Sequence, residues 1–262
     1  MSKQNQIKKA LHFEQQRKRD LAAGRLDQVR ASYDQQDVFL DDGNSPEFWD
    51  RHFHQQAATG NSEFACQFPM EAWRILQVLR YLDVQQSILN LGVGAGRLEA
   101  RLLPKLASSK LYLGTDMTQE TLTRLKKRWP KFRFIEADLL KLPIPDQQFT
   151  QLCLLEVLEH ISPRYTFQVL AEIYRVLKPG GRLFLSVPLN EGLEDMLPNN
   201  PNYHLRLYSI DLIEFELKEA GFQIQHTLTA SAFAKLFWLK QGLNQLFTLR
   251  EPNNCLLIAQ KV

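Results

Sequence analysis

Ile88-Leu89-Asn90-Leu91-Gly92-Val93-Gly94-Ala95-Gly96-Arg97-Leu98-Glu99 is the stretch whose reading decides the fold. A short apolar run ends in three glycines spaced two apart, and a helical pattern follows. A strand that feeds a helix through such a turn opens a βαβ unit, and its glycines let the backbone approach a ligand that a Cβ would hold off. Outward from this turn, apolar runs at Ser87–Leu91, Lys110–Thr115, Phe132–Ile135, Phe149–Leu155 and Arg182–Val187 alternate with helical patterns at Arg97–Leu106, Gln119–Trp129 and Pro163–Leu177. Upstream, Met70, Trp73, Leu76, Leu79 and Leu82 form an apolar helical stripe. The alternation predicts a mostly parallel sheet with helices on both faces. Ser162-Pro163 marks a helix start, and Lys178-Pro179-Gly180-Gly181 reads as a basic last turn followed by breakers. After a helix at Ile210–Ala220, the runs Phe222–Thr227 and Cys255–Ala259 lack a crossover of the earlier type, which predicts an antiparallel edge.

The composition narrows the class. The 262 residues suffice for a sizeable core, and 44% apolar with 23% charged residues excludes a disordered chain. No apolar run is long enough to span a bilayer, and Met1-Ser2-Lys3-Gln4 does not open a secretory signal. Cys66, Cys153 and Cys255 are far apart and odd in number, so neither a disulfide framework nor a zinc site is expected. The expectation is a reduced, cytoplasmic protein. Residues 1–30 carry eight basic and three acidic residues, net +5, so the remaining 232 carry −2. We expect residues 1–68 to be a helical arm and cap, solvated along its charged face. Residues 69–262 are then the main domain, with an insertion at about 229–252.

The glycine spacing bears on the ligand. A dinucleotide pyrophosphate calls for GxGxxG, whose third glycine would fall at Arg97; here it falls at Gly96. The spacing suits a nucleoside carrying a methionine chain and no phosphate. Asp116 ends the next run and can accept both hydroxyls of a ribose. Asp138 ends the third and can accept from an adenine amino group, with Leu139 packing on the ring. All three places are strand tips, where open α/β sheets bind ligands.

With these motifs the chain, over about residues 70–228, resembles the class I S-adenosylmethionine-dependent methyltransferases, in particular the type 11 subgroup. Glu156-Val157-Leu158-Glu159-His160-Ile161 and Arg175-Val176-Leu177-Lys178-Pro179-Gly180-Gly181-Arg182 are similar to the signatures after its fourth strand and before its fifth. Tyr203-His204-Leu205-Arg206-Leu207-Tyr208-Ser209, leading to Glu219-Ala220-Gly221-Phe222, is similar to its late helix. The resemblance implies a Rossmann-like α/β fold of seven strands, mostly parallel with the last antiparallel. It implies S-adenosylmethionine as cofactor, with Gly92, Gly94 and Gly96 along the methionine part and Asp116 on the ribose. Met117 and Leu139 would sandwich adenine, Asp138 would bond its amino group, and Leu155 would lie beside the sulfonium. Asn90 stands where the family usually has an acid, and it accepts a hydrogen bond without bringing charge toward the cofactor ammonium. Arg74 is the candidate for the cofactor carboxylate, as in ubiquinone-pathway O-methyltransferases.

His160 is either the candidate catalytic base or a histidine bonded locally to order its loop. Glu156, Glu159 and His160 stand at i, i+3 and i+4, which on a helix places them on one face. The same arrangement resembles a divalent-cation motif, with His204 as a fourth ligand. Such a donor set specifies no one metal, and none is expected. Phe233, Leu236, Phe237, Leu243, Leu246 and Phe247 fall at near-helical spacing beside Lys235 and Lys240. This stripe is either a lid or interfacial helix for an apolar acceptor, or ordinary packing. Phe48-Trp49-Asp50 either helps close the pocket or anchors a helix. The main reading is methyl transfer to a small-molecule O, N or C acceptor, apolar or polar, with peripheral membrane contact allowed. Two others stay open: an RNA methyltransferase that uses the basic arm, and a non-catalytic S-adenosylmethionine-binding regulator.

Overall fold

The computed structural model describes residues 3–36, 45–51, 66, 68–191, 204–231, 236–247 and 250–262. Seven strands form one sheet: β1 (Ile88–Leu91), β2 (Tyr112–Asp116), β3 (Arg133–Glu136), β4 (Phe149–Leu155), β5 (Leu177–Pro188), β6 (Phe222–Ala230) and β7 (Asn254–Lys261). Their order is β3-β2-β1-β4-β5-β7-β6. The first five pair in parallel, and β7 runs antiparallel to both β5 and β6. The Rossmann-like α/β sheet matches the expectation: the two late strands make an antiparallel edge, and the last strand, β7, is the antiparallel one, lying between β5 and the edge strand β6. β6 runs parallel to β5 and cannot pair with it by a hairpin, so the chain crosses beyond β6 and returns as β7 between them.

Among the described residues the helices with both ends defined are α1 (Lys3–Ala22), α2 (Leu26–Gln35), α3 (Pro69–Tyr81), α4 (Glu99–Leu102), α5 (Gln119–Arg128), α6 (Thr166–Val176), α7 (Ile210–Glu219) and α8 (Phe237–Phe247), and residues 46–51 are helical as well. A strand buried on both faces sends alternate side chains to opposite layers. Leu89, Leu91, Leu152 and Leu154 pack with α2, α6 and α7, whereas Ile88, Tyr112, Cys153 and Phe184 pack with α3, α4, α5 and Phe237. Two sequence readings need adjustment. The helix expected over Arg97–Leu106 is one α turn continued by a 3₁₀ turn, Leu103–Lys105, because Pro104 lacks the amide that would extend it. Lys178-Pro179-Gly180-Gly181 is not the end of a helix: α6 stops at Val176 and β5 begins at Leu177. The extra residues bulge out between the pairs Phe149↔Leu177 and Gln151↔Arg182, with Gly180 at φ +72° making the bend.

The N-terminal helices also differ from a solvated basic arm. Val29 and Tyr33 join the main core. Arg17 is fully buried and donates to Glu14, to Gln36 and, at 2.8 Å, to Ser32 Oγ. Arg206, also fully buried, donates to Glu14 at 3.3 Å, Glu216 at 2.6 Å and Thr166 at 2.7 Å. Tyr33 donates to the same Glu216. Arg25 pairs with Asp20, and Arg30 pairs with Asp34 while lying over the Phe167 ring. The spacing within residues 1–30 gave no sign of this, because the partners lie some 190 positions downstream on α7 and its approach. Arg206→Met is expected to leave Glu14 and Glu216 as poorly compensated buried charges and to destabilise the fold by about 3–5 kcal/mol. Urea denaturation of the variant beside the parent measures this.

Candidate active site

The tips of β1 and β2 are tied together. Gly92 and Val93 donate their amides to Thr115 O at 2.9 and 3.0 Å, and Gly94 N–H donates to Asp116 Oδ2 at 2.9 Å. Thr118 donates its amide and hydroxyl to Oδ1 of the same carboxylate at 3.1 and 3.0 Å. Gly92, Gly94 and Gly96 all have positive φ, at 75°, 49° and 76°, a region costly for any residue with a Cβ. At Gly92 a Cβ would also lie 2.7 Å from Val157 Cγ2. Arg124 of α5 donates to Gly94 O at 3.1 Å, which fixes the turn from the helix side.

This turn forms one wall of a cavity of about 460 Å³. Of the residues singled out in the sequence, Gly92, Gly94, Asp116, Met117, Asp138, Leu139, Glu156 and His160 line it; Arg74, Asn90, Gly96, Leu155, Glu159 and His204 do not. Asp116 is largely buried, and burial pushes its carboxyl up, opposed by the Gly94 and Thr118 donors. Asp138 caps its own loop through Leu140 N–H at 2.9 Å. Trp49 and Pro46 also line the cavity, and the Trp49 ring meets His160 edge-on at 4.8 Å. Phe233 and Lys235 lie outside the described residues.

Asn90 turns to Glu99, donating Nδ2–H to Oε1 at 2.6 Å. Tyr112 OH donates to the same oxygen. Glu99 is fully buried, and burial raises its carboxyl above the ordinary range. Asn90 Oδ1 and Glu99 Oε2 have no hydrogen-bond partner among the described residues. In sequence Glu99 stands between Arg97 and Arg101 and reads as an ordinary charged helix residue, so nothing local marks it as buried.

The expectation that Glu156, Glu159 and His160 share a helical face is corrected. Glu156 has φ +55°, and only Leu158–His160 form a 3₁₀ turn, so no continuous helix carries the three. A left-handed glutamate costs on the order of 1 kcal/mol or more and persists where its surroundings fix it. Here Ser186 Oγ–H donates to Glu156 at 2.9 Å, and Asn254 Nδ2 donates at 3.1 and 3.2 Å. Arg74 lies 3.2 Å away, with its buried Nε lacking a partner among the described residues. Neither Ser186 nor Asn254 was legible as a site residue from its neighbours in sequence. Glu159 is fully buried with neither carboxylate oxygen hydrogen-bonded among the described residues. Burial, reinforced by the charge of Glu156, pushes its carboxyl well up. The donor atoms of Glu159, His160 and His204 lie within 4.8 Å of one another. His204 Nδ1 is also 2.7 Å from Glu191. The trio that converges therefore contains His204 in place of Glu156.

The fold defined by this sheet and its glycine-lined crevice is that of the class I methyltransferases. A family model described as a methyltransferase domain matches residues 88–181. A relative described as a probable S-adenosylmethionine-dependent methyltransferase of Mycolicibacterium smegmatis is 28% identical over 158 residues, covering 59% of this chain and 58% of its own length. The chain thus spans less than two thirds of that relative. Among solved structures, the [4+2]-cyclase SpnF superposes with a TM-score of 0.60 at 19% identity, over 82% of this chain and 93% of its own. A Burkholderia thailandensis 1,6-didemethyltoxoflavin-N1-methyltransferase, solved with 1,6-didemethyltoxoflavin and S-adenosylhomocysteine bound, superposes with a TM-score of 0.59 at 18% identity, over 83% and 87%. These two likenesses show the shared fold.

Glu99→Ala is expected to strand the Asn90 amide and the Tyr112 hydroxyl in the core and to cost about 2–3 kcal/mol. Glu99→Gln should recover part of that loss. Thermal unfolding of the two variants beside the parent checks the order.

Proposed function

We propose that the chain transfers the methyl group of S-adenosylmethionine to an O, N or C atom of a small, apolar molecule. The observation that carries this reading is Asp116, a largely buried carboxylate at the rim of the cavity, held by Gly94 and Thr118. The donor set fits the cofactor. Asp116 accepts from the two ribose hydroxyls, Asp138 from the adenine amino group, and Met117 and Leu139 face the ring. Gly92 and Gly94 leave room along the methionine chain, and Gly96 serves that end by completing the turn behind them. Asn90 acts toward that end through Glu99, Leu155 stands at the tip of β4, and Arg74 takes the carboxylate.

When bound, S-adenosylmethionine supplies a methyl group already activated by its sulfonium sulfur. The chain's residues then have to align the acceptor and keep water out. Trp49, Val157 and Tyr165 give the cavity apolar walls. His160 accepts the proton of an O–H or N–H acceptor at a ring nitrogen as the new bond to carbon forms. No step is assigned to a metal. Residues 1–68 serve as arm and cap of the domain spanning residues 69–262, with 229–252 as its insertion. We assign the protein to the cytoplasm.

Two observations favour a small acceptor over RNA. Arg17, Arg25 and Arg30 of the basic arm are already engaged in the fold, and the cavity walls are chiefly apolar. A non-catalytic role is distinguished by turnover. Asp116→Ala is expected to weaken S-adenosylhomocysteine binding by about 3 kcal/mol, on the order of a hundredfold, because two hydrogen bonds to a charged acceptor are lost. Calorimetry measures this, and unchanged affinity would discredit the ribose assignment. The ribose hydroxyls donate to the ionised form of Asp116. Affinity should therefore fall as pH drops through its raised pKa, starting above the ordinary carboxylate range of about 4. Asp116→Asn should remove that slope. His160→Ala should lower kcat in a methyl-transfer screen while S-adenosylhomocysteine affinity stays within about twofold; equal kcat values would remove His160 as the base.

A further inference from the structure

Helix α8 is built inside out. An amphipathic helix on a sheet normally turns its apolar stripe inward. In α8 the inward positions are Phe237 and Gln241. Gln241 is held by two bonds, its Oε1 accepting Ser231 N–H at 2.8 Å and its Nε2 donating to Thr229 O at 2.7 Å. Asn244 clasps Arg250 in both directions, at 2.6 and 3.1 Å. These polar anchors fix the rotation of the helix. Leu239, Leu243 and Leu246, at i, i+4 and i+7, then point outward with Leu236 and Phe247, between 41% and 76% exposed. Trp238 is exposed on one flank, Lys240 and Arg250 on the other. From Thr227 to Arg250 the sequence contains no Asp or Glu.

We propose that α8 is an interfacial anchor that seats the protein on an anionic lipid surface. The apolar stripe enters the acyl boundary, Trp238 sits at headgroup level, and Lys240 and Arg250 meet the lipid charge. Charge decides between this occupant and a second copy of the chain. A copy would press one acid-free, cation-flanked helix against another, whereas anionic headgroups complement it. Placement fits as well. β6 runs parallel to β5, so α8 leaves the sheet at the same end as the strand tips of the crevice. It returns at Asn254, which bonds Glu156 in the cavity wall. The anchor would set the crevice end of the sheet toward the lipid. Among the described residues no helix is long and apolar enough to cross a membrane, so the contact is peripheral. The proposal stands whether or not the crevice transfers methyl groups.

Flotation of the full chain with vesicles of phosphatidylcholine alone, or with phosphatidylglycerol added, tests it. The parent should float with the anionic vesicles, less so at high salt and only weakly with phosphatidylcholine alone. Leu239→Glu/Leu246→Glu should reduce the floated fraction at least about tenfold, and Lys240→Glu should weaken it on anionic vesicles only. Both variants replace exposed residues and should unfold at the parent's temperature, which separates lost docking from misfolding. The proposal is overturned if the parent stays in the dense fraction, if the double variant floats as well as the parent, or if light scattering finds a dimer that the double variant splits into monomers.

Discussion

The carboxylate of Asp116 does two things at once. Through Gly94 N–H it ties the tip of β2 to the glycine turn after β1, and through Thr118 it sets the start of α5. Both contacts are made by a largely buried acid, so they restrain the strand tips in a setting where a charged acceptor binds strongly. The positive φ values at Gly92, Gly94 and Gly96 are what let the turn fold close enough for that bond. If the glycines carried side chains, the turn would open and the cavity wall would be lost.

A second layer of buried polar groups supports this arrangement from outside the cavity. Asn90, Glu99 and Tyr112 lie beneath the turn, and Ser186, Asn254 and Arg74 hold Glu156 in its left-handed conformation at the end of β4. The Arg17, Arg206, Glu14 and Glu216 network does the same for the N-terminal helices. Breaking such a network costs far more than forming it gains, because each deletion leaves a partner without compensation. The cover of the sheet is thereby tied to the approach of α7, on which His204 and Arg206 also lie. Cover and site share one set of constraints.

Much of this was legible in the sequence because it is local. Strand runs separated by helical stripes set the layers, and glycines and aspartates at run ends set the crevice. What was not legible is long-range. Arg17 beside Glu14 reads as an ordinary surface pair until Arg206 and Glu216 bury it. Glu156-x-x-Glu159-His160 reads as a helix until the paired strand tips force Glu156 into φ +55°. The stripe of Phe and Leu in α8 has the right period for a core helix, and only the anchoring of Gln241 shows which side faces out. Local pattern determines element type; the burial of charge is decided by partners far along the chain.

The central claim is that the strand-tip crevice is shaped for an adenosine joined to a methionine chain. A crystal structure of the chain with S-adenosylhomocysteine tests it most directly. The account predicts the ribose hydroxyls on Asp116, adenine between Met117 and Leu139, and the amino-acid end over the glycine turn. Density for the nucleoside anywhere else, or a crevice filled by its own side chains at saturating ligand, would contradict it.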